Sequence, residues 1–367
     1  MTVTLAHRRV AARLLDALLA KGAQPVDADV LQPAETLLDL YGESIRHRAY
    51  VTDDPVKGEQ MLRPDFTVPV VQMHMADGAV PARYAYAGEV FRKQLAGTER
   101  PNEFLQVGYE VFDGSDPAAA DAEVFSVMQD LLAPLELRAT VGDIGILRAA
   151  ISGLETTERR KAALARHIWR PRRFRTLLDR FGGRASQPEN RKILVAALSE
   201  RSAEALIEAA GPVQGVRDAD EIAARLDALR EDVNTAPVPA AQVEVLEDIL
   251  RLRETAPNAL ERLRDLAVDL PSLVPALDGM AARLEALSSC GVDVAALEFD
   301  GTYGRSSLEY YDGFVFGFYA LRRPHLAPVA SGGRYDALTK VLGQGRAIPA
   351  VGGIIRAGLL ADLEGAL

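Results

Sequence analysis

Cysteine is almost missing from this chain: Cys290 is the only one in 367 residues. No internal disulfide can form and no cysteine-based metal site can be assembled, so a reducing compartment, the cytoplasm, is expected. An excess of positive charge is also lacking. Lys and Arg number 42 against 52 Asp and Glu, for a net charge of −10. That balance disfavours a chain whose main task is to hold a polyanion, since phosphate binding needs clustered Lys and Arg. No run of about 18 uncharged apolar residues occurs, and residues 1–9 lead into an amphipathic pattern, so neither an export signal nor a membrane span is expected. Walker-type phosphate loops, dinucleotide fingerprints, nucleophile elbows and His-Glu-x-x-His zinc motifs are absent too. The five histidines, His7, His47, His74, His167 and His325, have no metal-ligand spacing. None is assigned a role, and neither a metal nor a cofactor is expected.

What is present is a chain with 48% hydrophobic residues, enough for a sizeable core. Val10, Leu14 and Leu18 with Ala11, Leu15 and Leu19 recur at helical spacing and Lys21-Gly22 stops them, which predicts an opening helix. Residues 83–92 and 103–112 are β-type runs joined by a polar, Gly-containing link, an antiparallel hairpin. From about 155 to 290 the composition shifts to Ala, Leu, Glu and Arg with helical periodicity. Strand character returns at 313–319, followed by a Gly-rich turn and a short apolar helix. The pattern predicts an α+β core over 1–154 and 291–367, with a helical insertion over 155–290.

Three separated segments carry the chemistry: Leu62-Arg63-Pro64-Asp65-Phe66-Thr67, the hairpin from Phe91-Arg92 to Phe112, and Ser331-Gly332-Gly333-Arg334-Tyr335-Asp336. Side chains alternate along a strand, so Gln106, Gly108 and Glu110 share one face, and a rise of about 3.3 Å per residue sets Gln106 and Glu110 roughly 13 Å apart. Two polar groups can then reach opposite ends of a small amino acid: a carboxylate suits an imidazole N–H, an amide suits an ammonium or carboxylate, and Gly108 leaves room for the ligand. Taken singly, Gln106 and Glu110 read first as the solvent face of a strand, Arg92 as a surface ion pair, Tyr310 and Tyr311 as core aromatics, and Gly332-Gly333 as a tight turn.

Their joint order is more specific. A strand-borne Phe91-Arg92, a variable loop and then Phe104-x-Gln106-x-Gly108-x-Glu110-x-Phe112 is similar to motif 2 of the histidyl-tRNA synthetases. Leu308-Glu309-Tyr310-Tyr311 and Gly332-Gly333-Arg334-Tyr335-Asp336 resemble the two histidine-binding signatures of that family. The resemblance runs across nearly the whole chain, with the helical block in the place of the family's insertion. It implies a class II synthetase-like antiparallel sheet flanked by helices, a self-dimer paired around Pro33, and a histidine pocket made by Asp65, Thr67, Arg92, Gln106, Glu110, Tyr310, Tyr311, Gly332, Gly333 and Tyr335.

The chain also departs from the family. Laying Pro349-Ala350-Val351-Gly352 on the family's Pro-Ala-x-Gly puts Gly358-Leu359 where a Glu-Arg pair is expected, with Arg356 about one helical turn out of register. An arginine that would neutralise ATP phosphates in adenylate formation is thus missing. Ser306-Ser307 stand where Arg-Gly is expected, leaving Arg305 one residue early, a slip that on a strand turns the side chain to the other face. Asp65 and Phe66 replace Glu and Gly, and only eight residues follow Leu359, too few for an anticodon-binding domain. Together these differences resemble the synthetase-like paralogues that partner the short form of ATP phosphoribosyltransferase, the first enzyme of histidine biosynthesis. The resemblance implies no catalysis, a hetero-oligomer of the hetero-octamer kind with the short catalytic subunit, feedback by L-histidine, and no tRNA. The rival readings are a reduced synthetase-like enzyme that forms an amino-acyl adenylate and an RNA-binding module on the same fold.

Residues 159–184 hold ten basic side chains against one acid, Asp179, with Trp169 and Phe174 among them. They read as a solvated helical face or as a contact for RNA phosphates or an acidic partner, the partner enzyme being preferred among the functional readings.

Overall fold

The apolar spacing of the N-terminal segment is met by a helix, Leu5–Ala20, which buries Ala11, Leu14 and Leu18. Thr4 caps it: its side chain accepts from His7 N while the His7 ring accepts from Thr4 N, satisfying two otherwise orphaned donors. Gly22, at φ +92°, takes the left-handed turn that ends it. The structure is a computed structural model, and it describes residues 3–41, 43–94, 101–186, 188–305 and 310–365. The segment Leu308-Glu309, Ser306-Ser307 and the hairpin link at 95–100 lie outside the described residues.

Twelve strands follow: β1 (Gln24–Pro25), β2 (Leu31–Pro33), β3 (Val51–Asp54), β4 (Gly58–Leu62), β5 (Ala82–Phe91), β6 (Glu103–Phe112), β7 (Leu137–Asp143), β8 (Arg253–Thr255), β9 (Glu298–Asp300), β10 (Phe314–Ala320), β11 (Ala330–Arg334) and β12 (Ala350–Arg356). Nine form one sheet in the order β1-β5-β6-β12-β11-β10-β7-β9-β8, and β2-β4-β3 form a second. The large sheet is antiparallel except where β1 meets β5 and β7 meets β9. The predicted hairpin is β5 and β6, in register from Ala82 opposite Phe112 to Phe91 opposite Glu103.

Helix Pro117–Leu132 covers one face of the sheet. Its Phe125 packs on Phe314, Phe316 and Phe318, ring centroids 6.3, 5.4 and 5.0 Å away, which alternation places on that same face of β10. The other face carries the cleft. Pairing sets Glu110 opposite Gly352, Gly352 opposite Gly333, and Gly333 opposite Val315, so these four lie on the cleft face in a row across β6, β12, β11 and β10.

Two expectations change here. Gly332 and Gly333 sit inside β11, where the sequence predicted a turn. A Cβ at Gly332 would lie 2.2 Å from the Gly352 carbonyl oxygen, and one at Gly333 would lie 2.6 Å from the Phe314 oxygen, so close backbone approach explains the glycines. The helical insertion expected over 155–290 is also shorter. Helices between Glu158–Arg166 and Ala219–Asn234 stand beside the core, but β8 then joins the large sheet against β9. Helix Val274–Ser289 lies on helix Pro117–Leu132, where the largely buried Arg283 pairs with Asp121 at 2.8 Å and Asp143 at 2.9 Å. Arg334 reaches the other Asp121 oxygen at 2.7 Å. The second half of the block belongs to the core because Leu260, Leu263, Leu277, Met280 and Leu287 are buried in it. Among the described residues no helix is long and apolar enough to cross a membrane.

Candidate functional site

Strand β6 is buried on both faces from Leu105 to Phe112, so its polar side chains need partners inside the protein. Glu110, 1% exposed, receives three hydroxyls: Thr67 Oγ1 at 3.0 Å and Tyr86 at 2.9 Å donate to Oε1, and Tyr335 at 2.6 Å donates to Oε2. A carboxylate offers about four acceptor positions, two per oxygen, so Oε2 keeps one for a further donor. Burial pushes the Glu110 carboxyl up to about 7; the three hydroxyls pull it back, and the neighbouring Asp65 charge adds to the rise. Gly352 is required opposite it, because a Cβ there would stand 1.5 Å from Oε2.

Around this carboxyl opens a cleft of about 940 Å³, within the size range of small-molecule sites. Asp65, Thr67, Arg92, Gln106, Glu110, Tyr310, Tyr311, Gly332 and Tyr335, nine of the ten anticipated residues, line it. Gly333, the tenth, lies under Tyr311, whose Cδ1 a Cβ would meet at 2.9 Å. Tyr310 and Tyr311 meet edge-on with centroids 4.9 Å apart, and Tyr310 meets Tyr335 at 6.1 Å. Burial, reinforced by the Glu110 charge, keeps the Tyr311 phenol protonated.

Gln106 stands at the far end of the strand face, 1% exposed, and its Oε1 is buried with no hydrogen-bond donor among the described residues. An amide oxygen left so would cost about 1–3 kcal/mol unless a ligand N–H fills the place. Arg92 uses Nε to hold the Pro64 carbonyl at 2.7 Å, which ties the Asp65 loop to the hairpin, and its guanidinium lies 5.5 Å from the Phe104 ring. Its Nη groups have no acceptor among the described residues, so the forked end of the side chain is open to an anionic group. The cleft thus combines two acceptors for N–H groups with a cation for a carboxylate, the donor and acceptor pattern of a free amino acid.

One reading needs correction, and the structure places the residues at which the chain departs from the family. The space over Gly108 is filled by Tyr86, whose Cζ would be 2.0 Å from a Cβ there, so Gly108 makes room for a tyrosine and not for a ligand. Phe66 does not enter the cleft. It is fully buried, stacked on Tyr86 at 4.3 Å and under the Arg63 guanidinium at 3.9 Å. Arg305 sits in a turn and points away, donating to the Ile168 carbonyl at 2.8 Å above the Phe174 ring. Arg356 ends β12, lines the cleft and donates to the Pro328 carbonyl at 2.5 Å, while Leu359 contributes an apolar wall. Tyr86 was missed by sequence reasoning. Its signal was the hairpin register, which puts this tyrosine opposite Gly108. No cluster of three metal-ligating side chains occurs among the described residues.

The histidyl-tRNA synthetase family model matches residues 4–256 and 217–356. An ATP phosphoribosyltransferase regulatory subunit from Brucella canis is 33% identical over 349 residues, 91% of this chain and 92% of that protein. Its counterpart from Brucella melitensis biotype 1 is 33% identical with 91% of each chain covered. Among solved structures, an ATP phosphoribosyltransferase regulatory subunit/histidyl-tRNA synthetase from Bacillus halodurans C superposes with a TM-score of 0.68 at 23% identity, over 99% of this chain and 81% of that one. A histidyl-tRNA synthetase from Nostoc sp. PCC 7120 superposes with a TM-score of 0.61 at 16% identity, over 100% and 76%.

Proposed function

Because the chain belongs to the ATP phosphoribosyltransferase regulatory subunits, a family with the histidyl-tRNA synthetase fold, we propose that it is the cytoplasmic subunit through which L-histidine controls that enzyme, and that it catalyses no reaction itself. Its partner is the short catalytic subunit, which it activates in a hetero-oligomer of the hetero-octamer kind. The self-dimer is formed through the three-stranded sheet around Pro33, where Val30, Leu31, Val51 and Val56 are exposed. No tRNA takes part.

The observation that carries the ligand assignment is the buried, donor-less Oε1 of Gln106, at the opposite end of the strand face from the one acceptor position left on Glu110. Histidine has an ammonium for the first, an imidazole N–H for the second and a carboxylate for Arg92. Its imidazole fits between Tyr310, Tyr311 and Tyr335, whose rings already pack edge-on. Leu359 supports the non-catalytic reading, since an isobutyl group cannot stabilise charge on a reacting phosphate.

The test is to mix the purified chain with the short phosphoribosyltransferase subunit and follow phosphoribosyl-ATP formation with and without histidine. Activity that requires the chain and falls on adding histidine is the expected result. A catalytic subunit indifferent to the chain would refute the assignment.

A further inference from the structure

The arginine-rich stretch at 159–184 folds with two further arginines into a second cavity, of about 500 Å³, remote in sequence from the cleft. Four helices meet there: Glu158–Arg166 brings Arg159 and Arg160, Pro171–Phe181 brings Arg173 and Arg180, Glu189–Glu200 brings Arg191, and Ala219–Asn234 brings Arg225. Against these six cations the lining holds two acids, Glu231 and Asp232. Asp232 is fully engaged: Arg160 Nε takes one oxygen at 2.6 Å and Arg191 Nη2 takes the other at 2.6 Å. Arg159, Arg173, Arg180 and Arg225 form no ion pair among the described residues. The Nε–H of Arg191 is buried without an acceptor. Arg160 and Arg180 both lie over the Phe181 ring, at 5.1 and 4.7 Å, so the cations are held close together on one aromatic. Partial burial of its guanidinium holds Arg180 below its ordinary value; Asp232 opposes this, and Arg191, Arg173 and Arg160 push it further down.

Like charges gathered in a concavity on a chain of net charge −10 need a counter-charge. We propose that this cavity is a binding site for a small polyanion of the phosphorylated class, carrying two or more phosphate groups, with Arg173, Arg180, Arg191 and Arg225 as its ligands. The guanidinium fork matches phosphate oxygens in pairs, and the orphaned Nε of Arg191 supplies one such donor. A cavity walled by four helices suits a compact ligand, whereas a nucleic-acid strand needs an extended basic track. The cavity shares no lining residue with the cleft.

Calorimetry on the full chain with pyrophosphate, tripolyphosphate and sulfate tests it. Saturable binding is expected, tightest for tripolyphosphate and weakened by salt. Arg173→Gln and Arg180→Gln, both exposed and without an ion pair, should each weaken it about tenfold or more while circular dichroism stays unchanged. Arg262→Gln, exposed on helix Ala256–Ala267, should leave it intact. Absence of saturable binding would overturn the proposal, as would equal weakening by Arg262→Gln. Binding of a short single-stranded RNA but not of tripolyphosphate, lost in the same variants, would overturn it in favour of a strand-binding surface.

Discussion

The Tyr335 hydroxyl donates to Glu110 Oε2 at 2.6 Å although 225 residues separate the two in the chain. One hydrogen bond therefore joins two of the three segments singled out in the sequence, and Thr67, donating to the other oxygen, brings in the third. Glu110 is the point at which the site is assembled.

Replacing it should therefore be felt first in ligand affinity. Glu110→Gln keeps the volume but removes the anionic acceptor, and it should weaken histidine binding by about 1–3 kcal/mol, roughly 5- to 150-fold. Calorimetry on the isolated chain measures this. Unchanged affinity would refute the placement of the imidazole.

The same carboxyl links stability to pH. Burial raises it from its ordinary value of 4.5 to about 7, so between those values the folded chain binds more protons than the unfolded one. Its contribution is fully present below about 4.5 and is lost as pH climbs to about 7. Half-buried Asp312, raised to about 6, acts in the same direction, so the comparison must be with a variant. Glu110→Gln should reduce the fall in urea midpoint between pH 5 and pH 8, and an identical fall in the two proteins would contradict this.

Histidine-dependent pyrophosphate exchange should be undetectable, because the cleft wall at Leu359 presents an apolar group where transition-state charge would have to be neutralised. Robust exchange in a clean preparation would restore the synthetase-like reading.

Feedback should be reciprocal. If histidine favours a less active arrangement of the complex and the substrates favour the active one, each must weaken the other's binding by the same factor, about 5- to 150-fold for typical couplings of roughly 1–3 kcal/mol. Histidine affinity for the assembled complex is to be measured with and without saturating phosphoribosyl pyrophosphate and an ATP analogue. Equal affinities alongside clear inhibition of turnover would exclude this two-state mechanism.

Asp121 is a separate target. It is 1% exposed and shared by Arg283 and Arg334, so Asp121→Ala leaves two buried guanidiniums without that partner and should cost about 3–5 kcal/mol. Chemical denaturation reads the loss directly. A change below about 1 kcal/mol would mean that the charges relax into solvent.

Much of this was legible in the sequence because it depends on local periodicity. Alternation alone put Gln106 and Glu110 on one face, and the helical spacing of Leu14 and Leu18 gave the first helix. What depended on pairing between distant segments was hidden. Arg283 lies 162 residues from Asp121, and β8 has three residues with no pattern of their own, so nothing local marked them as core. The glycines of β11 misled for a related reason: their cause is the backbone of the neighbouring strands, β12 against Gly332 and β10 against Gly333, which sequence cannot display. Tyr86 was the nearer miss, since Tyr opposite Gly follows from counting the hairpin.

Strand β8 also limits how the chain can be shortened. It pairs with β9, which pairs with β7, and so it forms the outer rim of the nine-stranded sheet. A deletion spanning 155–290 would strip that rim and leave β9 with a bare row of N–H and C=O groups, a template for joining another chain. Such a truncation should aggregate. Excision confined to the helices between Glu158–Arg166 and Ala219–Asn234 keeps the rim in place, and marks where a smaller, soluble version of this protein would have to be cut.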